Sequence, residues 1–128
     1  MASTLTKITV QTSALTTSVT NYSSGDQVSG ILSLAGASSA SGKGGYVTGA
    51  VLTDAGDVIG AFDVILFHTN PSSAAGDNAA ISISDADNRN VIGTVQLTGS
   101  FDYGGCRVCS ASDVRIPYIL PGGTTMYA

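Results

Sequence analysis

Tryptophan and glutamate are both missing from this chain, and only 11% of its 128 residues are charged. Soluble domains usually carry about 25% charge, and long surface helices draw on Glu, Lys and Arg, so a helical exterior is excluded. Five scattered Lys and Arg against nine Asp give a net charge of -4 and leave no basic patch to offset phosphates, which argues against direct nucleic-acid binding. Two cysteines are too few for a disulfide framework. No segment reaches the roughly 20 apolar residues of a membrane span. The opening "MASTLTKITV" also lacks the apolar run of about 7 to 15 residues that a signal peptide needs. A soluble product, made and kept in a cytoplasm, is expected.

What remains is 43% hydrophobic, with 16 glycines and much Ser, Thr, Val and Ile, a composition suited to strands and turns. The length fits one domain over residues 1–128 that needs neither metal nor cofactor to fold. Period-two alternation recurs, as in half-buried strands. In "KITVQ", Ile8 and Val10 oppose Lys7, Thr9 and Gln11. In "QVSGILSL", Val28, Leu32 and Leu34 share a face. In "TVQLTGSFDY", Val95, Leu97, Phe101 and Tyr103 fall on one side and Gln96, Thr98, Ser100 and Asp102 on the other.

"YVTGAVLT" and "DVIGAFDVILFHT" flank Asp54-Ala55-Gly56 and read as a hairpin. Val64, Ile65, Leu66 and Phe67 are apolar on both faces, which predicts a central strand. "GASSASGKGG" and "NPSSAAGDN" read as loops. Val114, Ile116 and Tyr118 alternate near the end, where Pro117 lacks an amide donor and predicts an edge strand or a terminal arm. Seven or eight short strands predict an all-β fold, an antiparallel β-sandwich of jelly-roll type with one short helical turn near residues 85–91.

The stretch "SISDADNRNVIGTV" is the densest in polar ligands. Read as a calcium loop, it has Asp85 and Asp87 in place. Arg89 then stands where a third ligand belongs, Asn90 replaces the glycine, and Gln96 replaces the bidentate glutamate. Read as a helix start, Ser84 is the cap, its hydroxyl accepting the amide of Asp87, and the early aspartates complement the helix dipole. The helix start is the better fit, with Ile81, Ile83, Val91 and Ile92 seating the turn against the sheet.

Other candidates for chemistry fall short. "GASSASGKGG" places five residues between Gly36 and Gly42 and puts Gly44 after Lys43, so it misses the phosphate-loop pattern. Cys106 and Cys109 form a lone C-x-x-C without two further zinc ligands or a following helix. On an extended strand, residues three apart face opposite ways, so the expectation is two reduced thiols, with a pairing between subunits left open. His68 is the only imidazole and lies in a strand-like run. Asp54, Asp57 and Asp63 offer carboxylates that could in principle pair, but Asp54 and Asp57 bracket a turn, where aspartate accepts backbone hydrogen bonds. The chain is expected not to be an enzyme.

Sheet edges are normally blunted by lysine, proline or coverage, yet lysine stands only at positions 7 and 43. Edges and apolar patches are therefore expected to be covered by further copies of the chain or by another protein.

An ordered series spans nearly the whole sequence: "TVQTSALTTSVTNYSSGDQVSGILSL", "VLTDAGDVIGAFDVILFH", "DNAAISISDADNRNVIGTVQL" and "IPYILPGGTTMYA". In this order the chain resembles small virion proteins of tailed bacteriophages, the capsid decoration or cement proteins. The resemblance implies a non-enzymatic β-sandwich, a dimer or trimer, on the outside of the head, bridging subunits of the major capsid protein. Contacts are expected in the N-terminal segment and in Ile116, Pro117, Tyr118, Ile119, Leu120 and Tyr127, with the domain's own core as the equal alternative for Ile116 and Tyr118. Alternatives are a tail or head-fibre component and a sugar-binding β-sandwich. The latter is disfavoured by the absence of tryptophan.

Overall fold

A computed structural model describes residue 15, residue 17 and residues 21–55, 61–72 and 76–128. The predicted "KITVQ" strand lies outside the described residues. Among those described, the elements in chain order are β1 (Ser33–Leu34), β2 (Gly44–Val47), β3 (Ala50–Asp54), β4 (Phe62–Phe67), α1 (Asp85–Asn88), β5 (Val91–Leu97), β6 (Gly99–Asp102), β7 (Arg107–Ala111), β8 (Ile116–Ile119) and β9 (Met126–Tyr127). The chain is all-β, its strands pairing antiparallel in three sheets ordered β1-β9-β4-β5, β2-β8 and β3-β7-β6.

Side chains of opposite strands pair on one face, so the registers show which residues point inward. β4 lies between β9 and β5, the central place its two-sided apolar run predicts. Leu66 and Phe67 are buried, and Val64 and Ile65 are half-buried. The core brings together Leu66 from β4, Val95 and Leu97 from β5, Cys109 from β7, Leu120 just after β8, and Met126 from β9. Residues of β2, β3 and β8, among them Val47, Leu52 and Ile116, pack against this cluster. All three sheets thus contribute to one apolar interior, each fully buried aliphatic side chain stabilising it by about 1.5–3 kcal/mol.

Four expectations are corrected. β3 pairs with β7 while β4 pairs with β5 and β9, so the two strands either side of Asp54 do not form a hairpin. "YVTGAVLT" breaks at Thr48-Gly49 into β2 and β3, which belong to different sheets. In "QVSGILSL" only Ser33 and Leu34 are strand, since Ser29 takes φ 71° and turns the chain away from an extended course. The helical turn covers Asp85–Asn88, and Val91 already belongs to β5.

"TVQLTGSFDY" is likewise two strands. β5 ends at Leu97 beside β4, and after Thr98 the chain enters β6 beside β7 in another sheet. Crossing from sheet to sheet reverses the facing. Val95 and Leu97 are buried, whereas Phe101 and Tyr103, at the same parity, are 63% and 66% exposed. On β6 it is Ser100 that lies on the inward row with Cys109 and Leu52.

Candidate interaction surfaces

The segment "IPYIL" is divided between the core and the exterior by the pairing of β8 with β2. Ile116 and Tyr118, opposite Val47 and Gly45, lie on the inner row, while Pro117 and Ile119, opposite Tyr46 and Gly44, lie on the outer. A Cβ on Gly44 would overlap the carbonyl oxygen of Tyr118, so this close pairing requires glycine. Pro117 sits on a strand with one hydrogen-bonded neighbour, where its missing amide costs nothing.

The Tyr118 hydroxyl donates to the carbonyl oxygen of Ala37, tying the strand to the loop after β1. Burial pushes its phenol above the ordinary tyrosine value. Leu120 is fully buried in the core and offers nothing to a partner, which corrects its place among the expected contacts. Tyr127 is half-buried and pairs with Ser33 on one side and Phe67 on the other, within the four-stranded sheet. Of the expected contact residues, Pro117 and Ile119 are the exposed ones.

Around Ile119 the outer row continues through Tyr46, 55% exposed, and Arg115, whose guanidinium carbon lies 4.6 Å from the Tyr46 ring centroid. Such a stacked cation contributes about 0.5–1 kcal/mol at an exposed site. Tyr46, Thr48, Asp113, Val114 and Arg115 line an open depression of about 350 Å³. A second depression of about 300 Å³ runs beside His68, Gly123, Thr125 and Tyr127. The Nδ1 of His68 lies 3.0 Å from the Thr69 hydroxyl, and both residues line the second depression.

The outer face of the β3-β7-β6 sheet was not legible as a surface in the sequence. Its registers align Val51 with Ser110 and Gly99, and Thr53 with Val108 and Phe101. Val51 is 69% exposed. The Phe101 ring on β6 and the Tyr103 ring just after it meet at 4.8 Å between centroids, tilted by 53°. The hairpin to β7 is held by the Tyr103 amide donating to the Cys106 carbonyl (2.9 Å) and by the Gly104 amide donating to the Asp102 carboxylate (2.7 Å). Gly104 has φ 86°, a left-handed conformation that glycine adopts without strain. The ionised groups nearby, Asp54, Arg107 and Asp102, occupy the opposite row, Arg107 and Asp102 forming a 3.9 Å ion pair. Among the described residues of these three strands, the outward row carries no charge.

Cys109 is buried in β7, Cys106 is half-buried just before it, and neither forms a disulfide. Ser84, in an extended conformation, caps α1, its hydroxyl accepting the Asp87 amide at 3.1 Å. The Asp87 carboxylate, 5% exposed, in turn accepts from the Ser84 hydroxyl (3.1 Å), the Ser72 amide (3.1 Å) and the Ser72 hydroxyl (3.3 Å). Asp85, by contrast, is exposed. The two aspartates do not share a site; Asp87 binds the helical turn to the loop before it.

Compared with models of protein families, with curated proteins and with solved structures, the chain matches none.

Proposed function

We propose that this chain is a non-enzymatic structural protein of a tailed-bacteriophage virion, a capsid decoration or cement protein. It would bind the outer surface of the major capsid protein lattice as a small homo-oligomer. Beside the resemblance in sequence, one observation supports the reading most. Tyr46, Val51, Ile81, Phe101, Tyr103 and Ile119 stand exposed on an all-β chain whose charge is only 11%. Large outward side chains with few ions between them suit burial against protein neighbours. We also read the three sheets as the layers of a jelly-roll-like β-sandwich, which the apolar interior shared by β3, β4, β5 and β7 supports.

Such a protein acts by linkage. Binding the expanded shell and not its dissociated subunits adds the binding free energy to the shell, about 2.7 kcal/mol per site at a hundredfold excess over Kd. Contacts that are weak singly gain strength when one oligomer engages several capsid subunits.

The test is co-sedimentation of purified chain with expanded heads that lack it. Saturable binding of hundreds of copies per head, with a raised temperature of head disruption, is expected. Binding of about a dozen copies or fewer would favour a tail or vertex component, and a clear hit on a glycan array with no head binding would favour a sugar-binding module.

A further inference from the structure

We infer that residues 22–29 form a strap that opens from the loop 77–81 as one unit while the three sheets stay folded, with the Asp77 carboxylate as its latch. The device holds whether or not the chain sits on a capsid.

Backbone bonds join the two segments as in a short antiparallel pair. The Gln27 amide donates to the Ala79 carbonyl (2.8 Å), the Asn78 amide to the Gln27 carbonyl (2.8 Å) and the Ile81 amide to the Gly25 carbonyl (2.9 Å), around an isolated bridge of Asp26 with Ala80. One oxygen of Asp77 closes both ends of the strap, accepting the Tyr22 hydroxyl (2.7 Å) and the Ser29 amide (2.7 Å). The loop is the fixed half, since Ser72 before it and Ser84 after it are both bonded to Asp87. The strap is the moving half. It ends at Gly30, where a Cβ would meet no atom within 4 Å, and the chain is held again at Leu32, whose amide and carbonyl pair with Ala128 at 2.8 and 3.1 Å. A hinge needs only a few such residues to absorb the change in backbone angles.

Two observations separate the strap from the sheets. Among the described residues, none of 22–29 or 77–81 belongs to the apolar core or packs against it, so opening gives up hydrogen bonds that water replaces and none of the core's burial. Backbone strain acts in the same direction. Ser29 (φ 71°) and Asn78 (φ 59°) are the two non-glycine residues with positive φ among those described, and both stand in this clasp. Asparagine tolerates the left-handed region, whereas serine holds it only under constraint. Here the constraint is Asp77, which fixes the Ser29 amide; strain of this kind gathers where a segment switches between two states.

Native-state hydrogen exchange of the full chain, in water and in low urea, tests the device at the amides of Gln27, Asn78 and Ile81, whose acceptors are backbone carbonyls and not Asp77. They are expected to be protected, yet to exchange at least about a hundredfold faster than the amides of β4 and β5, with little dependence on urea because little surface is exposed. V95A, in the core, is expected to speed the β4 and β5 amides at least about tenfold and to leave the three strap amides within about twofold. D77A is expected to speed the three strap amides at least about tenfold, and the β4 and β5 amides by no more than that. Strap amides that match β4 and β5 in rate and urea dependence, or that V95A speeds equally, would show that the strap opens only with the whole domain and overturn the inference. Strap amides with no protection in the wild type overturn the closed state. A D77A chain that fails to fold also overturns it, because a domain with its strap open keeps its core, and three amides that D77A leaves unchanged remove Asp77 as the latch.

Discussion

Replacing Leu120 by alanine and, separately, its neighbour Ile119 by alanine tests the division of the C-terminal strand residue by residue. Leu120 is fully buried among the core residues, while Ile119 is 63% exposed. Leu120→Ala deletes three carbon groups, worth about 0.8 kcal/mol each, or roughly 2.4 kcal/mol of transfer free energy. If about half of the vacated volume stays open, some 40 Å³ at about 24 cal/mol per Å³ adds roughly 1 kcal/mol. The expected loss is thus about 3–4 kcal/mol, a large part of the 5–15 kcal/mol that holds a typical domain folded. It corresponds to a fall in Tm of about 10–15 °C. Ile119→Ala should change stability by less than about 0.5 kcal/mol, as surface substitutions do. Urea denaturation followed by circular dichroism measures both on one scale. Equal losses for the two variants, or a larger one for Ile119→Ala, would refute the register of β8 against β2 and with it the choice of outward residues.

Asp87→Ala strips the Ser72 and Ser84 donors of their common acceptor and should cost about 2–3 kcal/mol in the same denaturation assay. Gly44→Ala forces a Cβ onto the Tyr118 carbonyl; a loss of about 1–3 kcal/mol is expected, with faster amide hydrogen exchange at 116–119. Tyr118 has a folded pKa raised by burial, so the unfolded chain gives up that proton first. Its contribution is complete below the ordinary tyrosine pKa of about 10 and declines as pH rises through the folded value. Tyr118→Phe should therefore be less stable than wild type at neutral pH by about 0.5–1.5 kcal/mol, and the gap should narrow above about pH 10. A gap that widens there would contradict the assignment.

Local chemistry was readable in the sequence, and long-range pairing was not. The Ser84 cap depends on residues three apart, and the buried β4 run on four neighbours, so each is decided within a short window. Which strand lies beside which is a choice between distant segments. Asp54-Ala55-Gly56 has the composition of a hairpin turn, yet β3 gains more by placing Leu52 beside Cys109 over the core. Alternation marked Ile116 and Tyr118 correctly as one face, and continuing it by one step reaches Leu120, which the proximity of the chain end had suggested for contact instead. Phe101 and Tyr103 depart from the alternation for a physical reason. A period-two pattern stays in phase only within one sheet, and the step at Thr98 from β5 to β6 turns their face outward. No local signal marks that step, because Thr98 and Gly99 are ordinary residues of a strand or a bend.

On a virion, these outward apolar faces should be occupied by protein. Cryo-electron microscopy of the intact particle measures this most directly. It should show this three-sheet chain repeated over the outer surface of the head lattice, in hundreds of copies. Heads with a bare outer lattice, and the chain found only in the tail or nowhere in the particle, would contradict it.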